Sequence, residues 1–343
     1  MESGKLEISW ATLWRVFFLV VLGAVLFYTR EVLIVLFLAI IISAAFDGPV
    51  SFLERKRIPR IFGTLSVFIL VLAAISLILY TIIPLSFVEL QELLNKLSKL
   101  KLPVFGPLKL DTSFLIQKMI KSLGDLTNAL FSGDISVFAV IAKVFGNIIT
   151  VIATIVLSFY LTVSRAGVEN FLRAVLPLSY EEYIVGVYLR VRKKLGKWLQ
   201  GQLVLMSIMG VAVWLGLWAM GIKYSLVLGI LAGLLEIVPI AGPIFIGIIG
   251  FIIASSQSWT LGFYSLILFF VLQQAENHLF VPVVMRKTIG ISPVVIVVAI
   301  LAGSQLAGAL GIILAVPVAV VFQEIVSDWE QRKLRVKDSK LEL

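Results

Sequence analysis

The stretch LEIVPIAGP, Leu235–Pro243, lies in the middle of an apolar run of 31 residues, Tyr224–Ala254. A carboxylate, two prolines and a glycine stand where a straight membrane helix should be regular. A helical span needs about 20 apolar residues. The run is therefore too long for one straight crossing, and it is broken near its centre. A second run of 32 residues, Ser292–Gln323, is interrupted by Gly303, Gly308 and Gly311, with Pro317 further on. Each run reads as one long kinked helix or as a hairpin that enters and leaves on the same side. Two crossings make eight spans; two hairpins make six spans and a pair of opposed re-entrant segments. Arg286 and Lys287 favour the hairpins, because only then do they fall on the side of the other basic loops. The expected fold is an all-α, polytopic membrane protein built around two broken segments.

Working outward, composition agrees. The chain has 343 residues, 60% of them hydrophobic before its 25 glycines are counted, and 14% charged. Soluble domains are ~45–50% apolar with glycine included and ~25% charged, so a two-domain soluble enzyme is excluded. The chain has no cysteine and one histidine, His278, which leaves no disulfide, no thiol nucleophile and no histidine-pair metal site. The net charge of +9 sits in loops and tail rather than on a soluble basic domain. It reads as orientation in a membrane, not as a nucleic-acid surface.

Six spans are expected: Trp10–Tyr28, Val32–Phe46 ended by Asp47-Gly48-Pro49, Ile61–Ile83, Val137–Val163, Leu203–Met220 and Thr260–Val284. Arg55, Lys56, Arg57 and Arg60 mark a cytoplasmic loop, which puts both termini in the cytoplasm and the protein in the inner (plasma) membrane. Residues 85–133 are rich in charge, with apolar residues at helical spacing on either side of Pro103 and Pro107, and read as an extracytoplasmic helical insert. Residues 164–200 are strongly basic. Ser179 and Glu182 form a capping-box pattern there, opening a helix that lies against anionic headgroups, with a partner protein as the alternative. The chain divides into a scaffold (1–200), a transport unit (201–326) and a charged tail (327–343).

From Ser225 to Met285 there are two formal charges, Glu236 and Glu276. An ionised carboxylate at that depth is expensive, so each should be paired, hydrated or protonated, and each is a candidate proton, cation or substrate site. Stabilising the break is the structural alternative for Glu236. Gln273, Gln274, Glu276, Asn277 and His278 put five hydrogen-bonding side chains in six positions of one span, with Pro282 below them. Gln273 and Asn277 share a helical face, as do Gln274 and His278. They line a cavity or bond helix to helix. Gly229 and Gly233 form a GxxxG that reads as close helix packing. No nucleophile-elbow, zinc-protease, Walker or dinucleotide motif is present, so neither an enzyme nor a cofactor or metal is expected.

LEIVPIAGP (Leu235–Pro243), QQAENHLFVPVVM (Gln273–Met285) with ISP (Ile291–Pro293), GALGIILAVPVA (Gly308–Ala319) and GKWLQGQ (Gly196–Gln202) together resemble the motifs of the autoinducer-2 exporter-like (AI-2E) transporter family. After Ser158-Phe159-Tyr160 the family tends to have an acidic residue, and this chain does not. The resemblance implies a homo-oligomer that exports a small polar quorum-sensing signal such as autoinducer-2; some relatives are described as sodium/proton antiporters. It implies site residues Glu236, Pro239, Gly242, Pro243, Gln273, Glu276, Asn277 and Pro282. A non-transporting membrane scaffold is the reading from another class.

Overall fold

The computed structural model describes residues 10–77, 121, 147–284 and 293–341. The insert expected at 85–133 and the basic pair Arg286 and Lys287 lie outside them. Every regular element described is helical: α1 Trp10–Tyr28, α2 Arg30–Arg55, α3 Arg60–Leu77, α4 Ile148–Val163, α5 Gly167–Val175, α6 Leu178–Ala219, α7 Ser225–Leu235, α8 Ala241–Gln257 and α9 Trp259–Ala275. α9 runs on through a π-helical turn, Glu276–Phe280, to Val284. The last helical run is two helices, α10 Val294–Gly308 and α11 Leu310–Glu330, with non-helical backbone at Ala307 and Gly308 between them. Among the described residues, five helices are long and apolar enough to cross a membrane, or six if the bent pair α4–α5 counts as one. Large exposed apolar side chains cover most of the helices, as expected where lipid is the solvent.

Both broken segments fold back on themselves. At the open end of the first, the Lys223 amide donates to Gln257 Oε1 at 3.4 Å, so the start of α7 meets the end of α8. In the second, Gly303 and Gly311 lie backbone against backbone. Eight residues of straight helix would hold them about 12 Å apart, so α10 and α11 form a hairpin. Gly308 turns its tip with φ 57° and ψ −133°, a conformation that effectively requires glycine. The hairpins point in opposite directions. The first opens at the Ala219 end of α6. The second has its tip beside Arg30 and Glu31, and its α11 arm returns to Arg190 and Lys194 near the other end of α6.

Three expectations need correction. The interfacial helix and the fifth span are one continuous helix, α6, so the boundary placed between residues 200 and 201 falls inside it. The capping box does not form. α6 begins at Leu178 behind Pro177, which pre-sets the chain direction, and Ser179 lies within the first turn. The element that turns away is α5, bent 86° from α4. α2 does not stop at Asp47-Gly48-Pro49 but continues to Arg55. Proline has no amide to offer the carbonyl four residues back, that of Ala45. Gln200 Nε2 of α6 supplies the missing donor at 2.5 Å. Gly196 permits this approach, because a side chain there would collide with the Ala44 backbone.

The GxxxG expectation is met in the α6–α7 pair. A Cβ on Gly229 or Gly233 would stand 2.7 Å from the carbonyl of Gly210 or Met206, so only glycine allows this approach. Two ion clusters secure the basic end. Arg60 reaches Asp47 at 2.5 Å, Glu54 at 3.2 Å and the Thr162 carbonyl at 2.9 Å, tying α2, α3 and α4. The Glu324 carboxylate, 6% exposed, accepts from Arg190 Nε at 2.7 Å and from Lys194 Nζ, and Arg190 also holds Asp328. This clasp joins α6 to α11. The Arg60 side chain is 12% exposed, but Asp47 and Glu54 are 36% and 40% exposed and can rehydrate. Arg60→Ala is therefore expected to cost about 2 kcal/mol, read as a lower thermal midpoint in detergent.

A carboxyl pair at the tip of the first hairpin

Glu236 terminates α7. Its backbone amide bonds the Ala232 carbonyl at 3.0 Å, and the residue caps the helix in a right-handed helical conformation. The chain then turns through Pro239-Ile240-Ala241. The Ala241 amide donates to the Pro239 carbonyl at 2.9 Å, closing a three-residue γ-turn. Ile240 at its centre has φ 72° and ψ −55°, a strained conformation for a β-branched residue. Pro243 follows in the first turn of α8, where no intrahelical amide is needed. Gly242 lies against the Leu235 carbonyl, and any side chain there would overlap it. The two prolines and the glycine thus build the bend and leave Glu236 at its inner edge.

Glu236 is 3% exposed and Glu276 6%. The two carboxyl groups face each other at the bend. Gln273 Nε2 donates to Glu276 Oε2 at 3.0 Å. Gln202 of α6, 3% exposed, donates its Nε2 to the Glu236 carbonyl at 2.6 Å and so satisfies a helix-end acceptor that has no partner within α7. The result is a buried carboxyl centre joining α6, the first hairpin and α9.

The polar cluster of α9 is split. Gln273 and Glu276 face the centre, whereas Gln274, Asn277 and His278 are exposed. Gln274 and His278 lie on the other face, as their spacing implies; for Asn277 the cause is the π-helical turn that starts at Glu276. Its wider winding rotates the following residues off the face they would share with Gln273 in a regular α-helix. His278 Nδ1 contacts the Gln274 carbonyl at 3.1 Å on the outer surface. Pro282 follows within the next helical turn and cannot donate an amide to it. Gly303, Gly308, Gly311 and Pro317 belong to the second hairpin. Its tip lines a separate cavity of about 290 Å³ with Arg30, Glu31, Asn147 and Thr150. Among the described residues no group of three or more His, Cys, Asp or Glu is placed to hold a metal ion.

Gln202 is the site residue that inspection of charge and breaks did not single out. Its signal was the motif GKWLQGQ, which now has a physical content: Gly196 for close approach, Gln200 for the acceptor freed by Pro49, and Gln202 for the end of α7.

Residues 16–331 match the family described as AI-2E family transporter. The chain is 27% identical to "Putative transport protein YrrI" of Bacillus subtilis (strain 168), covering 91% of this chain and 88% of YrrI. It is 24% identical to "Putative permease PerM" of Escherichia coli (strain K12), covering 89% of each.

Proposed function

The chain belongs to the AI-2E transporter family, and on that premise we propose that it is a secondary transporter exporting a small polar molecule such as autoinducer-2, with proton exchange at Glu236 and Glu276. The observation that supports this reading is the buried carboxyl pair at the tip of the first hairpin. A transporter that couples solute flow to protons needs a group that gains and loses a proton away from bulk water. It also needs that group to sit where backbone is irregular and can rearrange. When both are ionised, the two carboxylates face each other, an arrangement that attracts a cation. That is the observation favouring the second reading, sodium/proton antiport.

Sealed vesicles containing the reconstituted protein distinguish the two. Proton movement driven by an imposed sodium gradient supports antiport. Uptake of labelled autoinducer-2 into inverted vesicles, driven by a proton gradient and indifferent to sodium, supports export. Failure of both overturns the transport reading.

The proposed location is the inner (plasma) membrane with both termini cytoplasmic, supported by the basic residues of the 55–60 loop and the tail. In this cysteine-free chain, a Lys287→Cys variant is expected to resist a membrane-impermeant maleimide added outside intact cells and to label after lysis. Labelling from outside overturns the pair of re-entrant hairpins, since two full crossings put Lys287 outside with both termini still cytoplasmic.

A further inference from the structure

A cavity of about 510 Å³ lies at the basic end of the bundle, where α2, α5, α6 and α11 meet. Phe37, Leu172, Ile184, Val187 and Val321 supply an almost wholly apolar wall. A polar solute gains nothing in such a chamber, whereas a hydrocarbon chain does. Arg192 is the one charged residue on the lining. Its Nη1 donates to the Arg165 backbone carbonyl at 3.0 Å, so a second arginine lies next to it in space. Arg165 is 62% exposed, and it reaches Ser51 Oγ only at 3.4 Å and Glu54 only at 4.0 Å, so it keeps donors for another acceptor.

The depth of the cavity follows from α5. This helix is bent 86° from the α4 span and therefore runs along the bilayer surface, with Leu172 as part of the cavity wall. Tyr183 and Tyr188 border the same space, and tyrosine is favoured at the boundary between headgroups and hydrocarbon. A hydrocarbon chamber below that boundary, with the Arg192 guanidinium on its lining and Arg165 beside it, matches one kind of molecule. Guanidinium binds phosphate oxygens through paired N–H donors.

We propose that this cavity is a specific binding site for an anionic phospholipid, with an acyl chain between α2, α6 and α11 and the phosphate at Arg192 and Arg165. The lipid fills space that the described helices leave open next to the α6–α11 clasp.

The test is native mass spectrometry of the full-length protein in non-ionic detergent micelles doped with equal amounts of phosphatidylglycerol and phosphatidylcholine. One retained phosphatidylglycerol per chain is expected, in preference to phosphatidylcholine. Arg192→Gln is expected to lower that preference about fivefold, the effect of one interfacial cation, and Arg192→Lys to keep most of it. Val187→Trp, which fills the cavity, is expected to remove both lipids with helical content unchanged by circular dichroism. Equal retention of the two lipids by the wild type, or unchanged preference in Arg192→Gln, overturns the proposal. So does a Val187→Cys variant that crosslinks between copies, since a second chain then occupies the cavity.

Discussion

Glu236→Gln will leave the protein folded and reduce proton-coupled flux in reconstituted vesicles about a hundredfold or more, the lower bound of what a positioned proton-transfer group contributes. Glutamine has nearly the shape of the protonated acid and keeps a donor for the facing carboxylate. The pairing with Glu276 and the Gln202 bond to the Glu236 carbonyl therefore persist. What is lost is the exchangeable proton. Glu276→Gln has the same consequence from the other side, with Gln273 still able to donate to the new side chain. The double variant will be no worse than either single one, because the pair works as a unit. Flux in Glu236→Gln within threefold of wild type, with the protein correctly inserted, removes the carboxyl pair from the mechanism.

The second large effect concerns the other hairpin. Gly311→Ala will destabilise the protein by about 3 kcal/mol or more, at the upper end of overpacking costs. The added methyl meets the carbonyl of Gly303, and the reciprocal change, Gly303→Ala, meets the carbonyl of Gly311. Neither obstacle is a side chain that can swing away; relief requires the two helices to separate along their length. Gly308→Ala acts differently. It forces a side chain into a φ 57°, ψ −133° conformation at the tip, with open space around it, for about 1–3 kcal/mol. The three variants should rank accordingly in apparent thermal midpoint. An unchanged midpoint in Gly311→Ala is incompatible with the close approach of α10 and α11.

Local rules carried the sequence reading a long way. The end expected for the first span, Tyr28, is the end of α1, because an apolar run stopping just before Arg30 and Glu31 is a signal contained in the segment itself. Pro239, Gly242 and Pro243 announced the bend beside Glu236 for the same reason, and Gly303 and Gly308 announced the second. Features that depend on a distant partner were not legible. Pro49 read as a stop because nothing near it reveals that Gln200 will satisfy Ala45. The basic residues of 164–200 read as surface charge, although Arg190 and Lys194 meet Glu324, more than a hundred positions away. The pairing of Glu236 with Glu276 was within reach of the composition, as the two isolated charges of the most apolar third. The π-helical turn was not, and it decides which polar side chains join them.

The unbroken course of α6 has a mechanical consequence. Its 42 residues form a beam about 63 Å long. One arm carries the Arg190 and Lys194 contacts to Glu324, and farther along the same beam Gln202, Gly210 and Trp214 bear the first hairpin. Pivoting such a beam about one end by roughly 5° carries the opposite end through about 5 Å, close to one helical pitch. Gln202 cannot stay still while the clasp swings, so leverage applied at the charged extremity is felt directly at the carboxyl pair.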